Sequence, residues 1–164
     1  MAMAAFASRC LEVAATEKRS LTFRGHSDLP DGQYGFLEMY CDEVGCDCRR
    51  VVLQVRSPDP SSPIWATINF GWESEAYYVN WMKNKDLARE ACGANLDPLN
   101  PNSPLAPVLL DMFVNVVADD AYVERLKRRY ALFKASLSGR VAAASSTTTR
   151  MPLKKLKGIR KRRL

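Results

Sequence analysis

Apolar and polar positions alternate along "QYGFLEMY": Tyr34, Phe36, Glu38 and Tyr40 share one face of an extended chain, and Gly35, Leu37 and Met39 share the other. A period of two predicts a strand. "RVVLQVR", Arg50 to Arg56, reads as a second strand rich in β-branched residues. After the Pro/Ser loop "SPDPSSP", "IWATINFGW" alternates as a third, and the three together predict an antiparallel meander. From Ser74 the period changes to that of a helix. "SEAYYVNWMKNKDLAREACG" opens on a capping serine and closes at Gly93, a C-terminal cap. A second helix is predicted in "SPLAPVLLDMFVNVV", with Ser103 as cap, Pro104 at the first helical position and Leu105, Leu109, Met112 and Val116 at helical spacing. Asp119 or Asp120 caps a third, whose stripe is Tyr122, Leu126, Tyr130, Phe133 and Leu137; Arg125, Lys127, Arg128 and Lys134 fall mostly on its wet side.

These elements predict an α+β domain over residues 21–140, a three-stranded antiparallel sheet covered by about three helices. Residues 1–20 form an arm or short helix before it, and "HSDLPDG" is a turn-rich approach to the first strand. After it, 141–164 is a flexible linker and a basic tail: "AAASSTTT" is too featureless to pack, and the tail is expected to be disordered when nothing is bound. The chain carries no internal repeat.

A chain of 164 residues buries an adequate core for one domain. Its formal charge of +6 changes meaning once divided along the chain. Arg150 to Leu164 holds eight Lys/Arg and no acid, leaving 16 basic against 18 acidic groups before it. The body is mildly acidic, so affinity for polyanions is expected in Lys154, Lys155, Lys157, Arg160, Lys161, Arg162 and Arg163. Leu153, Leu156 and Ile159 recur every third residue, which also admits a basic amphipathic turn on an acidic partner or anionic membrane. No run is long and apolar enough for a membrane span, and the N-terminus lacks the form of a secretion signal, so a cytoplasmic protein is expected. The Ala/Ser/Arg-rich opening also admits a transit peptide, against which Glu12 and Glu17 come early.

The candidate chemistry lies in "EMYCDEVGCDCRRV", where Cys41, Cys46 and Cys48 fall within eight residues, at the return from the first strand to the second. They are too crowded for independent disulfides, and five cysteines is an odd number. If "DEVG" curls, with Gly45 easing the turn, the three thiolates converge on one ion. Soft sulfur ligands favour Zn2+ over magnesium or calcium, and an iron-sulfur cluster would require a fourth cysteine. The fourth zinc ligand is expected from His26, the only histidine, with Cys92 and Cys10 in reserve. Arg49 and Arg50 follow as neutralising or anion-binding partners. Glu38, between two aromatic residues, is a carboxylate either raised in pKa or paired with Arg49, Arg50 or a tyrosine.

"LPDGQYGFLEMYCDEVGCDCRRVVLQV", together with "DDAYVERLKRRYALFK", resembles an uncharacterised bacterial family marked by a Tyr-Cys-x4-Cys-Asp-Cys-Arg-Arg hairpin, over roughly residues 26–135. The resemblance implies a metal-bearing hairpin and a cytoplasmic location, and it brings no activity.

Enzyme classes are narrowed by what the chain lacks. One histidine excludes a zinc hydrolase built on several imidazoles, and the deaminase signature, phosphate-cradling glycine loops and the nucleophile elbow are missing. A Cys/His nucleophile would use the atoms the metal takes. The expected function is a zinc-stabilised, non-enzymatic binding module contacting nucleic acid or a nucleic-acid-associated complex. The alternatives are a protein-interaction adaptor with an incidental tail and a thiol- or carboxylate-dependent enzyme.

Overall fold

The structure, a computed structural model, describes residues 2–17, 20–26, 28–59 and 61–146, with side chains to residue 139. Twelve elements follow in order: β1 (Met3–Ala5), a 3-10 turn (Phe6–Ser8), α1 (Leu11–Thr16), β2 (Ser20–Phe23), β3 (Gly32–Cys41), β4 (Arg50–Arg56), β5 (Ala66–Gly71), α2 (Glu75–Met82), α3 (Lys85–Ala91), β6 (Gly93–Leu96), α4 (Ala106–Val117) and α5 (Asp120–Ser146). The α+β class is as expected, but among the described residues the sheet has six strands rather than three and the helices number five.

β3, β4 and β5 form the expected meander, with Leu37 opposite Gln54 and Leu53 opposite Ile68. The added strands sit at its edges. β1 and β2 both pair with β3, one at each end, and β6 pairs with β5. Three or four residues cannot display a convincing alternation, so these strands form because a neighbour's open edge supplies their hydrogen bonds.

Alternation decides which face is covered. Tyr34 and Tyr40 on β3, Val51, Leu53 and Val55 on β4, and Ala66, Ile68 and Phe70 on β5 point into one core. α4 closes it with Leu109 and Phe113, and α5 with Tyr122, Leu126, Phe133 and Leu137. The apolar stripe foreseen on α5 is therefore its buried face. Asp119 caps this helix by accepting from the Ala121 N–H at 2.9 Å. The helix continues to Ser146, into the segment expected to be a linker, because an alanine run propagates a helix already nucleated by packing. The tail from 147 onward lies outside the described residues.

The single helix expected from Ser74 to Gly93 is two. Ser74 caps α2 by accepting from the Tyr77 N–H, but Lys83 takes φ 54° and breaks the helix, and Asn84 caps α3 by accepting from the N–H groups of Asp86 and Leu87. The break folds α3 back beside α2 and forms a second small core of Tyr78, Ala88 and Ala91. Gly93, at φ 69°, then starts β6 instead of ending a helix. α4 likewise starts at Ala106, after Pro104.

The α2–α3 unit presses close on the sheet at Gly71. A methyl group there would collide with the carbonyl oxygen of Ala91 and the Tyr78 phenol. Gly71→Ala is expected to destabilise the fold by about 3 kcal/mol, since backbone cannot yield as a side-chain end does; urea unfolding monitored by tryptophan fluorescence measures this.

Candidate metal centre

The loop between β3 and β4 spans residues 42–49, and its backbone carbonyls decide its shape. Lys134 Nζ on α5 donates to the Cys41 and Glu43 carbonyls at 3.2 and 2.8 Å. Tyr130 Oη on the same helix donates to the Cys46 carbonyl at 3.4 Å. From the other side, Tyr77 Oη on α2 donates to the Asp47 carbonyl, and Tyr78 Oη donates to the Arg49 carbonyl at 2.7 Å. Five carbonyls at this turn, that of Cys41 and four in the loop, are thus held by side chains of two helices. Burial pushes the Tyr130 and Tyr78 phenols well above their usual range, so both stay protonated and keep donating. Gly45 at φ 78° and Arg49 at φ 44° supply the two left-handed turns.

That clamp gathers the thiols. The Sγ atoms of Cys41, Cys46 and Cys48 all lie within 4.8 Å of one another. Cys41 and Cys48 are fully buried, and Cys46 faces a small cavity bordered by Val44, Tyr130, Lys134 and Leu137. Around a tetrahedral zinc with bonds of about 2.3 Å, sulfurs sit roughly 3.8 Å apart, so modest contraction of the trio accommodates the ion. The three thiols offer a soft, preformed half-shell for a metal ion.

Crowding and burial also shape their acidity. Cys46 is pushed up to about 12, by burial first and then by Cys48 and Cys41. Burial and Cys41 raise Cys48 as well, against the Arg50 N–H, the Arg50 charge and Lys134, all of which favour its thiolate. Both groups hold protons in the metal-free protein at neutral pH, and a metal must displace them. Each displaced proton gives a tenfold gain in affinity per pH unit. The protons on Cys46 and Cys48 alone are therefore expected to make zinc affinity rise by at least about a hundredfold per unit between pH 6 and 8, measured by competition with a chromophoric chelator. Without metal the sign reverses. A thiol raised from 9.0 to about 12 supports the fold below pH 9 and withdraws that support as pH climbs from 9 toward 12.

The expected fourth ligand is not at the cluster. His26 lies next to Phe23, its Nδ1 accepting from the Asp28 N–H at 3.2 Å. Phe23 pairs with Gly32 at the start of β3, whereas Cys41 ends that strand, about 30 Å away at roughly 3.3 Å per residue. The reserve cysteines are elsewhere too: Cys92 donates to the Glu73 carbonyl at 3.4 Å, and Cys10 sits at the start of α1 near Arg9 and Arg129. Among the described residues no further His, Cys, Asp or Glu joins the three thiols.

The supporting charges also differ from expectation. Arg49 does not present an open cationic surface: its guanidinium pairs with Asp47 at 3.0 Å and Glu73 at 3.2 Å and stacks on Tyr77. The Arg50 N–H and charge favour the Cys48 thiolate, and Arg50 Nη1 donates to the Asn69 side-chain oxygen at 3.3 Å. Lys134, expected on the wet side of its helix, is the missed member of the site. Its signal was helical spacing, since Lys134 follows Tyr130 by four residues and both reach the same loop.

Glu38 belongs to a different place. It is buried, accepts from Tyr40 Oη, and pairs with Arg125 and Arg129 on α5, each at 3.0 Å. Of the partners expected for it, the tyrosine is present, whereas the arginines are these two and not Arg49 or Arg50. Arg125, foreseen as solvated, is only 5% exposed.

Comparison with known protein families, curated proteins and solved structures gives no match for this chain. No helix among the described residues is long and apolar enough to cross a membrane.

Proposed function

We propose that the protein is a non-enzymatic binding module whose β3–β4 tip is held rigid by one zinc ion on Cys41, Cys46 and Cys48, with nucleic acid as its partner. The reading is carried by the three sulfurs within 4.8 Å of one another on a loop clamped by two helices. A redox or packing role does not call for three converging thiols with a lysine and an arginine beside them, whereas a zinc thiolate centre does. The fourth ligand is exogenous, reaching the ion from the cavity beside Cys46.

The nucleic-acid part rests on sequence. Arg49 is neutralised within the fold, so contact with phosphates falls to the eight basic residues between Arg150 and Leu164, which lie outside the described residues.

Elemental mass spectrometry of protein purified without chelator tests the first part. About one zinc per chain, with three thiols shielded until unfolding, supports it; no metal and freely titrating thiols overturn it. Deleting residues 150–164 tests the second. Loss of salt-sensitive binding to single-stranded DNA supports the tail as the contact, and a full-length chain with no such binding favours the adaptor reading.

A further inference from the structure

Three thiols converge at the β3–β4 tip without a fourth donor among the described residues. The sulfurs of Cys41, Cys46 and Cys48 lie within 4.8 Å of one another, and no histidine, carboxylate or further thiol joins them there. Zinc must therefore complete its shell from outside the chain. A soft ion that forms three bonds and keeps a lone pair in the fourth position needs nothing more, and trivalent arsenic is such an ion.

Two further features fit that valence. The donors are positioned before any ion arrives: Lys134 and Tyr130 hold the carbonyls of Cys41, Glu43 and Cys46 from α5, and Tyr77 and Tyr78 hold those of Asp47 and Arg49 from α2. Little chain freedom is left to lose when three bonds close on one ion. Cys41 and Cys48 are also fully buried, so an ion that leaves net charge there bears a desolvation cost. Zinc on three thiolates carries one negative charge, and arsenic(III) on three thiolates carries none. Entry is from the cavity of about 260 Å³ that Cys46 lines together with Val44, Tyr130 and Leu137, which has room for a small neutral molecule.

We propose that this cluster is a three-coordinate site for trivalent arsenic, taken up as arsenous acid and held by the sulfurs of Cys41, Cys46 and Cys48. The inference rests on the same three-thiol geometry as the zinc reading, but not on zinc being the resident ion. Each step exchanges one As–O bond for one As–S bond: a thiol sulfur attacks arsenic, hydroxide leaves, and the thiol proton goes with it as water. Three exchanges release three waters, change no oxidation state and leave a neutral centre. Cys46, which borders the cavity, makes the first bond, and the buried Cys48 and Cys41 make the others within the same complex. Cys10 and Cys92 stand apart from the cluster, so neither has neighbours to supply a second or third bond.

The test uses the full-length chain, kept reduced with a phosphine and stripped with EDTA, with sodium arsenite as the probe and native mass spectrometry as the readout. Each As–S bond expels one water, so the mass of the complex counts the bonds. One arsenic per chain with three waters lost is expected, together with three thiols protected from alkylation. Cys46→Ser and Cys48→Ser are each expected to stop at two bonds and to weaken binding by about a hundredfold, while Cys10→Ser and Cys92→Ser change nothing. Should Cys48→Ser not fold, Cys46→Ser, on the less buried thiol, decides. No binding, binding through only one or two sulfurs in the unsubstituted chain, or three-bond binding that survives Cys46→Ser overturns the proposal. Zinc content of the chain as purified separates this inference from the zinc reading. Three-bond capture by a chain that carries no zinc supports arsenic and sinks zinc; a zinc-bearing chain that takes no arsenic once stripped does the reverse.

Discussion

Cys48→Ser is expected to abolish stoichiometric zinc binding and remove the response of stability to chelator. Cys48 is fully buried at the end of the loop, with Arg50 and Lys134 favouring its thiolate, so no other group can move into its place. A structural zinc site binds with about 10–16 kcal/mol shared over its ligands, so one sulfur is worth roughly 3–4 kcal/mol, two to three powers of ten in affinity. Zinc at about a thousand times its dissociation constant stabilises the native state by about 4 kcal/mol. The parent protein should lose that amount in urea unfolding when EDTA is added, and Cys48→Ser should start from the lower value and show no change. Far-UV circular dichroism should survive in both cases, because the main core lies between the sheet and helices α4 and α5 and needs no ion. A parent protein indifferent to EDTA, with no zinc found, would remove the metal from the account.

Glu38→Ala is expected to cost about 3–5 kcal/mol, with no dependence on zinc. The carboxylate is 3% exposed and joins Tyr40, Arg125 and Arg129 in one network beneath α5. Removing it leaves two buried guanidinium groups facing each other with only the half-exposed Glu17 between them. Breaking one side of a buried ion pair is far more damaging than replacing the whole pair by apolar groups. The triple variant Glu38→Leu, Arg125→Met, Arg129→Leu should therefore regain most of the lost stability. Because all three side chains are buried, raising salt should change the cost of Glu38→Ala little. A loss under about 1 kcal/mol, or one that fades with salt, would mean that the cluster is solvated in solution.

Helix α5 shows why the two sites were unequally legible. Tyr122, Leu126, Tyr130, Phe133 and Leu137 mark its buried stripe at once. Arg125 and Lys134 look like members of the wet side, because charge is normally solvated. What overrides this is a partner 87 residues away in the chain: a glutamate on the inward face of β3 requires a cation above it. The signal was present in Glu38 itself, an acid in line with Tyr34, Phe36 and Tyr40, but nothing in the sequence told which arginine would answer it. His26 failed for the complementary reason. It was near the cysteines in sequence, yet a ten-residue strand extends the chain between them, so closeness along the chain became distance in space.

Local pattern determined the three central strands, the facing of their side chains, the aromatic stripe of α5, and the three cysteines of the turn, because each depends on residues within one element. The edge strands β1, β2 and β6 were decided by the tertiary structure, because their hydrogen bonds come from a neighbour rather than from their own residues. So were the Lys83 break that folds α3 onto the sheet, the Lys134 and tyrosine clamp on the cysteine loop, and the buried pairing of Glu38 with Arg125 and Arg129. Each of these joins groups far apart in the chain, and their energy exists only once the sheet has brought those groups within hydrogen-bonding distance.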